Sequence, residues 1–497
     1  MAGSTIASTI GLACLLAEPV AGLAGWWTWS PDTLTPHFAY QDPGSGDILH
    51  SSCKSNGSAA FSSDKPNKFP IKPAPKPATP LVVTGWWDDE LNTPIASVFY
   101  QGTDDSILNA FFTCDNKTGN YKLDPDGVDV VSKLAGAPSV HEKTGLAITE
   151  LGDSGGYRLY YHDEDGLVNL LAYDDDTDWR YDGPISLKKT NGQAIAALQI
   201  KGTNVSVAYP YDSNNVAVAR FNQDSKDKWS LESFPTPFDS PAPTNKTDPS
   251  DMRLDSSDDS SMTLSSFDNA AVNLGIANGA KDQLSILYIG KDAQLHSVVK
   301  TDGAWKEEKS AGPKKWPRAD NASGRLAVVS ALDSDEIWVY YASGDKILQL
   351  HNDGSAWKNA KTPSSDTTSD ESDADDGADD GGSTSGDAAD GEETSTGGNS
   401  SPVAKEDRGM TTGAKAGIGI GVSVSLLALA GAGFFLFRRR QQRRTPDLRK
   451  SSTELDSGGS YHPVELATPT HGPQELSATH ERKYELLGDT GHRHGAS

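Results

Sequence analysis

Short runs of β-branched and aromatic residues alternate with turns rich in Gly, Asp and Asn over residues 19–361. No long stretch in this region has the 3.6-residue periodicity of an amphipathic helix. Apolar runs of this length, bounded by turn-forming residues, are typical of β-strands. The pattern therefore predicts an all-β body.

The strand pattern repeats at intervals of about 60 residues. Each copy has an aromatic-rich strand, a polar turn, a second strand and a closing aromatic residue. The first strands of the copies begin at His37, Ser97, Arg158, Ser206, Ser285 and Trp338. A sandwich gives no reason for six similar units, whereas three to four strands in each of six units predict a six-bladed β-propeller.

A second hydrophobic pattern lies near the C-terminus. Residues 416–437 contain no charge and are long enough to cross a bilayer as one helix. Arginines follow at 438–440, 443 and 444. The positive-inside rule places the side with these arginines in the cytosol. We therefore expect one transmembrane helix at 416–437 and a cytosolic tail at 438–497.

The N-terminal region carries features of export. Residues 5–17 form an apolar run followed by small residues, which predicts a signal peptide at 1–17 although no Lys or Arg precedes it. The pattern leaves cleavage near Ala17 or Ala24 open. Glycosylation sequons begin at Asn56, Asn116, Asn204, Asn245, Asn321 and Asn399, all before the predicted span. We expect the N-terminus to be extracellular or lumenal, and we expect the protein to lie in the plasma membrane.

Charge and composition change the picture in two places. Lys plus Arg is 44 against 69 Asp plus Glu, and this balance argues against binding to nucleic acid. The hydrophobic content of 36% is low for one globular body. Residues 362–415 are rich in Ser, Thr and Asp, which predicts a disordered acidic stalk between the propeller and the membrane.

The tail at 438–497 is polar and is predicted to be disordered. Tyr461-His-Pro-Val and Tyr484-Glu-Leu-Leu487 both fit the pattern of a Tyr followed, three residues on, by a bulky apolar residue. Sorting adaptors in the cytosol read such patterns. The motif is short, so an idle tail is the alternative.

Candidate chemistry is sparse. The sequence has no zinc-ligand spacing, HExxH or phosphate-binding loop, so we expect no metal, no cofactor and no enzyme activity. Residues 152–156 spell Gly-Asp-Ser-Gly-Gly, but no matching His segment is present and the motif falls in a predicted turn. Cys53 and Cys114 either pair across the first two copies or stay as free thiols.

The repeats also resemble those of the fungal fucose-specific lectin family. The resemblance rests on Tyr-Arg-Leu-Tyr-Tyr-His at 157–162, Gly-Leu-Val-Asn at 166–169 and Asp-Gly-Ala-Trp at 302–305. It implies a six-bladed propeller with sugar pockets between adjacent blades, where an Arg and a Glu bind sugar hydroxyls and an aromatic ring stacks on the sugar. Of the six copies only the third keeps the Arg, as Arg158, with Asn169 at the Glu position and Trp179 as the stacking ring.

Two functions follow from this pattern. The first is a cell-surface, single-pass protein that recognises carbohydrate or glycoprotein without catalysis, through Arg158, Asn169 and Trp179. The second is a surface sensor or interaction propeller that binds no sugar and signals or sorts through its tail. For Arg158 itself, a salt bridge to a nearby Asp is the alternative to ligand binding. The sequence does not give the oligomeric state.

Overall fold

The computed structural model describes residues 21–29, 33–152, 155–190, 192–225, 228–238, 253–254, 262–268, 270 and 274–365. The predicted signal peptide, the stalk from residue 366, the span at 416–437 and the tail with Tyr461, Tyr484 and Leu487 lie outside these ranges. Within them, no helix is both long and apolar enough to cross a membrane.

The described residues form six β-sheets, which we number as blades one to six in chain order. Blade one contains β1 (Ala21–Trp29), β2 (Leu34–Gln41), β3 (Ile48–His50) and β4 (Asn67–Lys68). Blade two contains β5 (Leu81–Asp88), β6 (Thr93–Gln101), β7 (Ile107–Asp115) and β8 (Asn120–Asp129), and is followed by the short helix α1 (Val131–Leu134). Blade three contains β9 (Leu146–Glu150), β10 (Tyr157–His162), β11 (Val168–Tyr173) and β12 (Arg180–Pro184).

Blades four to six form the second half of the ring and have the same strand order. Blade four contains β13 (Ala196–Lys201), β14 (Asn204–Pro210), β15 (Val216–Phe221), β16 (Trp229–Phe234) and β17 (Arg253–Leu254). Blade five contains β18 (Gly275–Gly279), β19 (Gln283–Ile289), β20 (Leu295–Thr301) and β21 (Ala304–Glu307). Blade six contains β22 (Leu326–Ser330), β23 (Ile337–Ser343) and β24 (Lys346–Asn352).

The first strand of each blade is its innermost strand. These strands contact one another in the order β1, β5, β9, β13, β18, β22 and back to β1, so the six sheets close into a ring. Within each blade successive strands pair antiparallel, apart from β17, which adds to β16 in parallel. The predicted all-β, six-bladed propeller is therefore confirmed.

Apolar side chains fill the junctions between blades. One cluster of buried residues lies at each of the six junctions, from blades one and two round to blades six and one. Glycines on the inner strands permit the close approach: a Cβ at Gly85 would lie 2.9 Å from Cδ1 of Trp26 on the neighbouring blade. At Gly275 it would lie 2.1 Å from Cγ2 of Val328. Gly85 on β5 and Gly275 on β18 thus belong to the inner wall of the ring.

Two further links hold the first blade. A disulfide joins Cys53, just after β3, to Cys114 on β7, with a Cα–Cα distance of 5.7 Å. The end of the ring returns to the same blade, where Ser364 and Ala60 form a parallel bridge and the amide of Phe61 donates to the carbonyl of Ser364 at 2.6 Å. Blade one is therefore tied to blade two covalently and to the end of the ring by hydrogen bonds.

Candidate functional site

Arg158 and Asn169 face different junctions. The register of β10 and β11 places Tyr160 opposite Leu170 and Tyr161 opposite Asn169. Because successive residues of a strand point to opposite faces, Arg158 shares its face with Tyr160 and Leu170, and Asn169 lies on the other face. The residue of β11 that shares a face with Arg158 is Leu170, one position after the expected Asn169. The structure does not bring Arg158 and Asn169 together.

The Arg158 guanidinium is bound to the backbone of its own blade. Nη1 donates to the carbonyl oxygens of Gly155 at 3.0 Å, Tyr157 at 2.8 Å and Tyr173 at 3.2 Å. Burial lowers its pKa below the ordinary value for arginine. The neighbouring carboxylates of Asp174 and Asp182 form ion pairs with Arg180, at 2.6 and 2.9 Å, rather than with Arg158. Arg158 thus fastens the open end of a hairpin.

Asn169 is fully buried, and its amide nitrogen and amide oxygen both have partners inside the fold. Nδ2 donates to Oδ2 of Asp163 at 2.9 Å and to the carbonyl of Leu167 at 3.0 Å, while Oδ1 accepts from the Tyr181 hydroxyl at 2.8 Å. Both N–H donors of Asn169 are used inside the fold, so the side chain can donate to a sugar only by breaking one of these bonds.

Trp179 is 8% exposed and packs into the junction of blades two and three. Its ring stacks on Tyr157, with centroids 6.0 Å apart and planes 4° from parallel. Tyr173 and Phe99 also contact it, at centroid distances of 5.4 and 6.0 Å. The ring face that the resemblance assigned to sugar stacking is therefore covered by protein side chains.

The corresponding positions of the other blades also lie in the core. The side chains of Ser97 and Asn109 are buried and hydrogen-bond to each other at 2.6 Å. In blade six the buried Gln349 accepts from the Tyr340 hydroxyl at 3.0 Å. The remaining pairs, also buried, are His37 with His50, Ser206 with Val218, and Ser285 with Ser297. Packing therefore fills these positions.

The two histidines in blade one are neutral. Nε2 of His37 lies 3.0 Å from Oγ1 of Thr28, and Nδ1 of His50 donates to the carbonyl of Ser51 at 2.6 Å. Burial lowers the pKa of His37 to about 3 and that of His50 to about 4. A charged imidazole is not available at this position near neutral pH.

A cavity of about 370 Å³ opens where the inner strands begin. Leu23, Leu81 and Leu146 line it from the starts of β1, β5 and β9. Gln193 and Arg325, which precede β13 and β22, line it from blades four and six. Five of the six blades therefore contribute to one cavity at the ring centre, which we call the central cavity.

Sequence reasoning missed the central cavity, but a pattern in the chain points to it. Polar residues stand one or a few positions before the innermost apolar run of a repeat, as in Gln193-Ala-Ile and Arg325-Leu-Ala. Ring closure brings such positions together at one end of the channel.

A second, more open cleft of about 390 Å³ lies beside blade five. Here Nε2 of His296 is 3.1 Å from the carboxylate of Asp292, and Nδ1 is 3.6 Å from that of Glu307. Within the described ranges, no group of three His, Cys, Asp or Glu side chains is arranged to hold a metal ion.

The predicted sequons differ in accessibility. Asn56, Asn116 and Asn321 are exposed. Asn204 is half-buried, and its Oδ1 accepts from the amide of Gln223 at 2.7 Å. Asn245 and Asn399 lie outside the described residues.

Comparison with known proteins gives a likeness in structure only. No family model matches the sequence, and no curated protein matches it. AofleA from Arthrobotrys oligospora is 11% identical, with a TM-score of 0.46 over 69% of this chain and 86% of that one. The fucose-specific, six-bladed lectin of Aleuria aurantia is 14% identical, with a TM-score of 0.46 over 70% of this chain and 96% of that one.

The BP39L lectin from Burkholderia pseudomallei is 12% identical, with a TM-score of 0.41 over 69% of this chain and 98% of that one. At these values the likeness carries no argument about a ligand, and the propeller itself rests on the six sheets and their ring of contacts. This chain is thus similar to fucose-specific lectins of the propeller type, while its inter-blade positions are packed core.

Proposed function

We propose that the propeller is a non-catalytic recognition domain for carbohydrate or glycoprotein, with its ligand bound in the central cavity. The observation that carries this proposal is the cavity itself. Its volume of about 370 Å³ is within the range of small-molecule sites, and it takes one or two sugar rings.

The lining of the central cavity suits a sugar. Leucines from the starts of the inner strands and Pro80 offer apolar surface for the C–H face of a ring. Gln193 is half-buried at the wall and can both donate to and accept from hydroxyls. A site of this kind combines apolar area with a few placed polar groups, which is the usual composition of a ligand pocket.

The test is binding of the full chain, in detergent, to a panel of immobilised glycans. Lys143 is exposed at the cavity wall, so Lys143→Trp is expected to obstruct the cavity and abolish retention. Lys346→Trp makes the same change at an exposed position on β24, outside the cavity, and should bind like the parent. Equal binding by both variants would remove the central cavity as the site.

The membrane context is part of the same proposal. The uncharged run at 416–437, the arginines after it and the exposed sequons support a single-pass protein of the plasma membrane with its propeller outside. Replacing Asn56, Asn116 and Asn321 with Gln should each increase gel mobility by one glycan. Protease added to intact cells should spare an epitope placed after residue 437, and digestion of that epitope would reverse the orientation.

A cytosolic adaptor is the proposed partner of the tail. Changing Tyr461 and Tyr484 to Ala should slow internalisation and raise the amount of protein at the surface. Matched Ser451→Ala and Ser452→Ala changes, in the same tail, should leave it unaltered. Equal surface levels in all variants would leave the tail without a sorting role.

One observation favours the second candidate, an interaction propeller that binds protein and no sugar. The family positions at the blade junctions are buried, and they hydrogen-bond or pack within the fold. If the full chain retains no glycan, this second function replaces the first.

A further inference from the structure

Arg325 stands apart from the other half-buried arginines of the ring. It lines the central cavity directly before β22, and within the described chain its guanidinium has no hydrogen-bond or ion-pair partner. Burial lowers its pKa below the ordinary value, with no carboxylate to offset the effect. By contrast, Arg158 binds three carbonyls, and Arg180 and Arg220 bind carboxylates.

An unpaired guanidinium at a half-buried site is costly to the fold. Removing a charge from water without a partner costs free energy, so buried arginines are normally paired. An unpaired guanidinium at a cavity wall is explained if a bound ligand supplies its hydrogen-bond acceptor. The five N–H donors of the fork match a planar anion, above all a carboxylate, in a bidentate arrangement.

The surroundings of Arg325 favour an anion. The charged residues that line the cavity are Lys76, Lys143 and Arg325 against Glu142 alone, although the whole chain has a net charge of −25. Lys76 is already engaged, because Nζ pairs with Asp105 and donates to the carbonyl of Glu142 at 2.6 Å. The cavity is therefore a small positive region in an acidic protein, and its field attracts negative groups.

Building on the proposed function, we propose that the central cavity selects an acidic glycan, and that Arg325 binds the carboxylate of its terminal sugar. The apolar residues at the starts of the inner strands take one face of the ring, and Gln193 takes a hydroxyl. The ligand class is a uronic-acid or other carboxylate-bearing saccharide, as opposed to a neutral one.

The experiment compares glucuronate-terminated, glucose-terminated and sulfated glycans on the full chain. Arg325→Gln should weaken binding of the glucuronate glycan by about tenfold to a hundredfold, because a charge-assisted bidentate contact is lost. Arg325→Lys keeps the charge without the fork and should recover only part of the affinity. Arg318→Gln, at an exposed site seven residues earlier, is the matched control and should bind like the parent.

A stability measurement separates binding from structure. Removing an unpaired, desolvated charge should leave the melting temperature of Arg325→Gln at or above that of the parent. A lowered melting temperature with a proportional loss of binding would make Arg325 a structural residue and overturn the inference.

The outcomes also separate this inference from the proposed function. Binding of neutral glycans that Arg325→Gln does not change would keep the proposed function and overturn the role of Arg325. Equal binding of sulfated and carboxylated glycans would overturn carboxylate selection. Binding of a poly-glutamate peptide with no glycan bound would overturn the carbohydrate ligand, and absence of all binding would remove both proposals.

Discussion

The junction between blades one and two and the junction between blades four and five close the same ring with different chemistry. In the first, a disulfide between Cys53 and Cys114 lies within an apolar cluster that also holds the aromatic rings of Trp26, Phe69 and Tyr121. The polar groups at this junction are neutral, since burial lowers the pKa values of His37 and His50 well below neutrality.

The second junction is held by charges. Glu232 on β16 has a side chain only 3% exposed and forms ion pairs with Arg220 of its own blade and with Lys300 of blade five, the latter at 2.5 Å. Beneath them Phe234 stacks on Trp305, with ring centroids 4.0 Å apart. One carboxylate thus pairs with two cations, one from each side of the junction.

Two junctions of the same ring are thus closed by unrelated chemistry. A junction closed by a disulfide and apolar packing is sensitive to reductant and hardly sensitive to salt. A buried cluster of ions depends on every member, because removing one leaves the others desolvated and unpaired. The first three of the predictions that follow test this contrast, and the fourth concerns blade three.

The largest effect is expected from the covalent link. Replacing Cys53 and Cys114 together by Ala releases a loop closed over a separation of 61 residues, which corresponds to about 4 kcal/mol in the chain-entropy model. Urea unfolding of the full chain, followed by tryptophan fluorescence, measures this loss. Reduction of the parent should reproduce it, and a parent that is equally stable with and without reductant would count against the bond.

At the charged junction, Glu232→Ala should destabilise the fold by about 3 kcal/mol, because it leaves Arg220 and Lys300 as neighbouring unpaired cations. Exposed Glu164, on the neighbouring blade three, provides Glu164→Ala as the control with little expected change. If the triple variant Arg220→Met, Glu232→Met and Lys300→Met, which removes all three charges, is as unstable as Glu232→Ala, unpaired charge is not the cause.

A smaller effect should appear in the pH dependence of the first junction. The folded-state pKa of His50, about 4, lies below the ordinary histidine value of 6.5, so the unfolded chain takes up protons first. The contribution of neutral His50 to the free energy of unfolding is complete above pH 6.5 and is lost as the pH falls toward 4. The loss amounts to about 2 kcal/mol between pH 7 and 5. Urea midpoints across this range should be flatter in His50→Gln than in the parent.

The half-exposed His141 gives the control, since His141→Gln should retain the slope of the parent. If the urea midpoint of His50→Gln depends on pH as steeply as that of the parent, the pKa of His50 does not differ between the folded and unfolded states.

Arg158→Ala should have the smallest effect. Its guanidinium donates to three carbonyls at a half-buried site that water can reach, so we expect a loss of about 1 kcal/mol. Glycan retention by the full chain should not change, because the side chain is used within its own hairpin. Loss of binding with unaltered stability would return the site to blade three.

The repeat spacing was enough to predict the fold. Aromatic strands such as Tyr157-Arg-Leu-Tyr-Tyr recur with the period of a blade, and each copy must bury its faces against its neighbours. The pairing of Cys53 with Cys114 could not be decided from the sequence, because it depends on how two blades approach one another.

The site was harder to predict for a physical reason. A shift of one residue along a strand moves the side-chain position to the opposite face, and Asn169 is one residue away from Leu170, which shares its face with Arg158. The central cavity depends on contacts that exist only after the ring closes. Leu23 and Arg325 are about 300 residues apart in sequence and line the same wall.

The bridge between Ala60 and Ser364 has a mechanical consequence. A pull on the chain beyond Ser364 enters the propeller at blade one, through that bridge and the bond from the Phe61 amide. Blade one is also the blade that the Cys53–Cys114 disulfide fastens to blade two, so load arriving there is shared by two blades rather than peeling one away. A covalent link between two blades thus lies where tension from that end of the chain would first arrive.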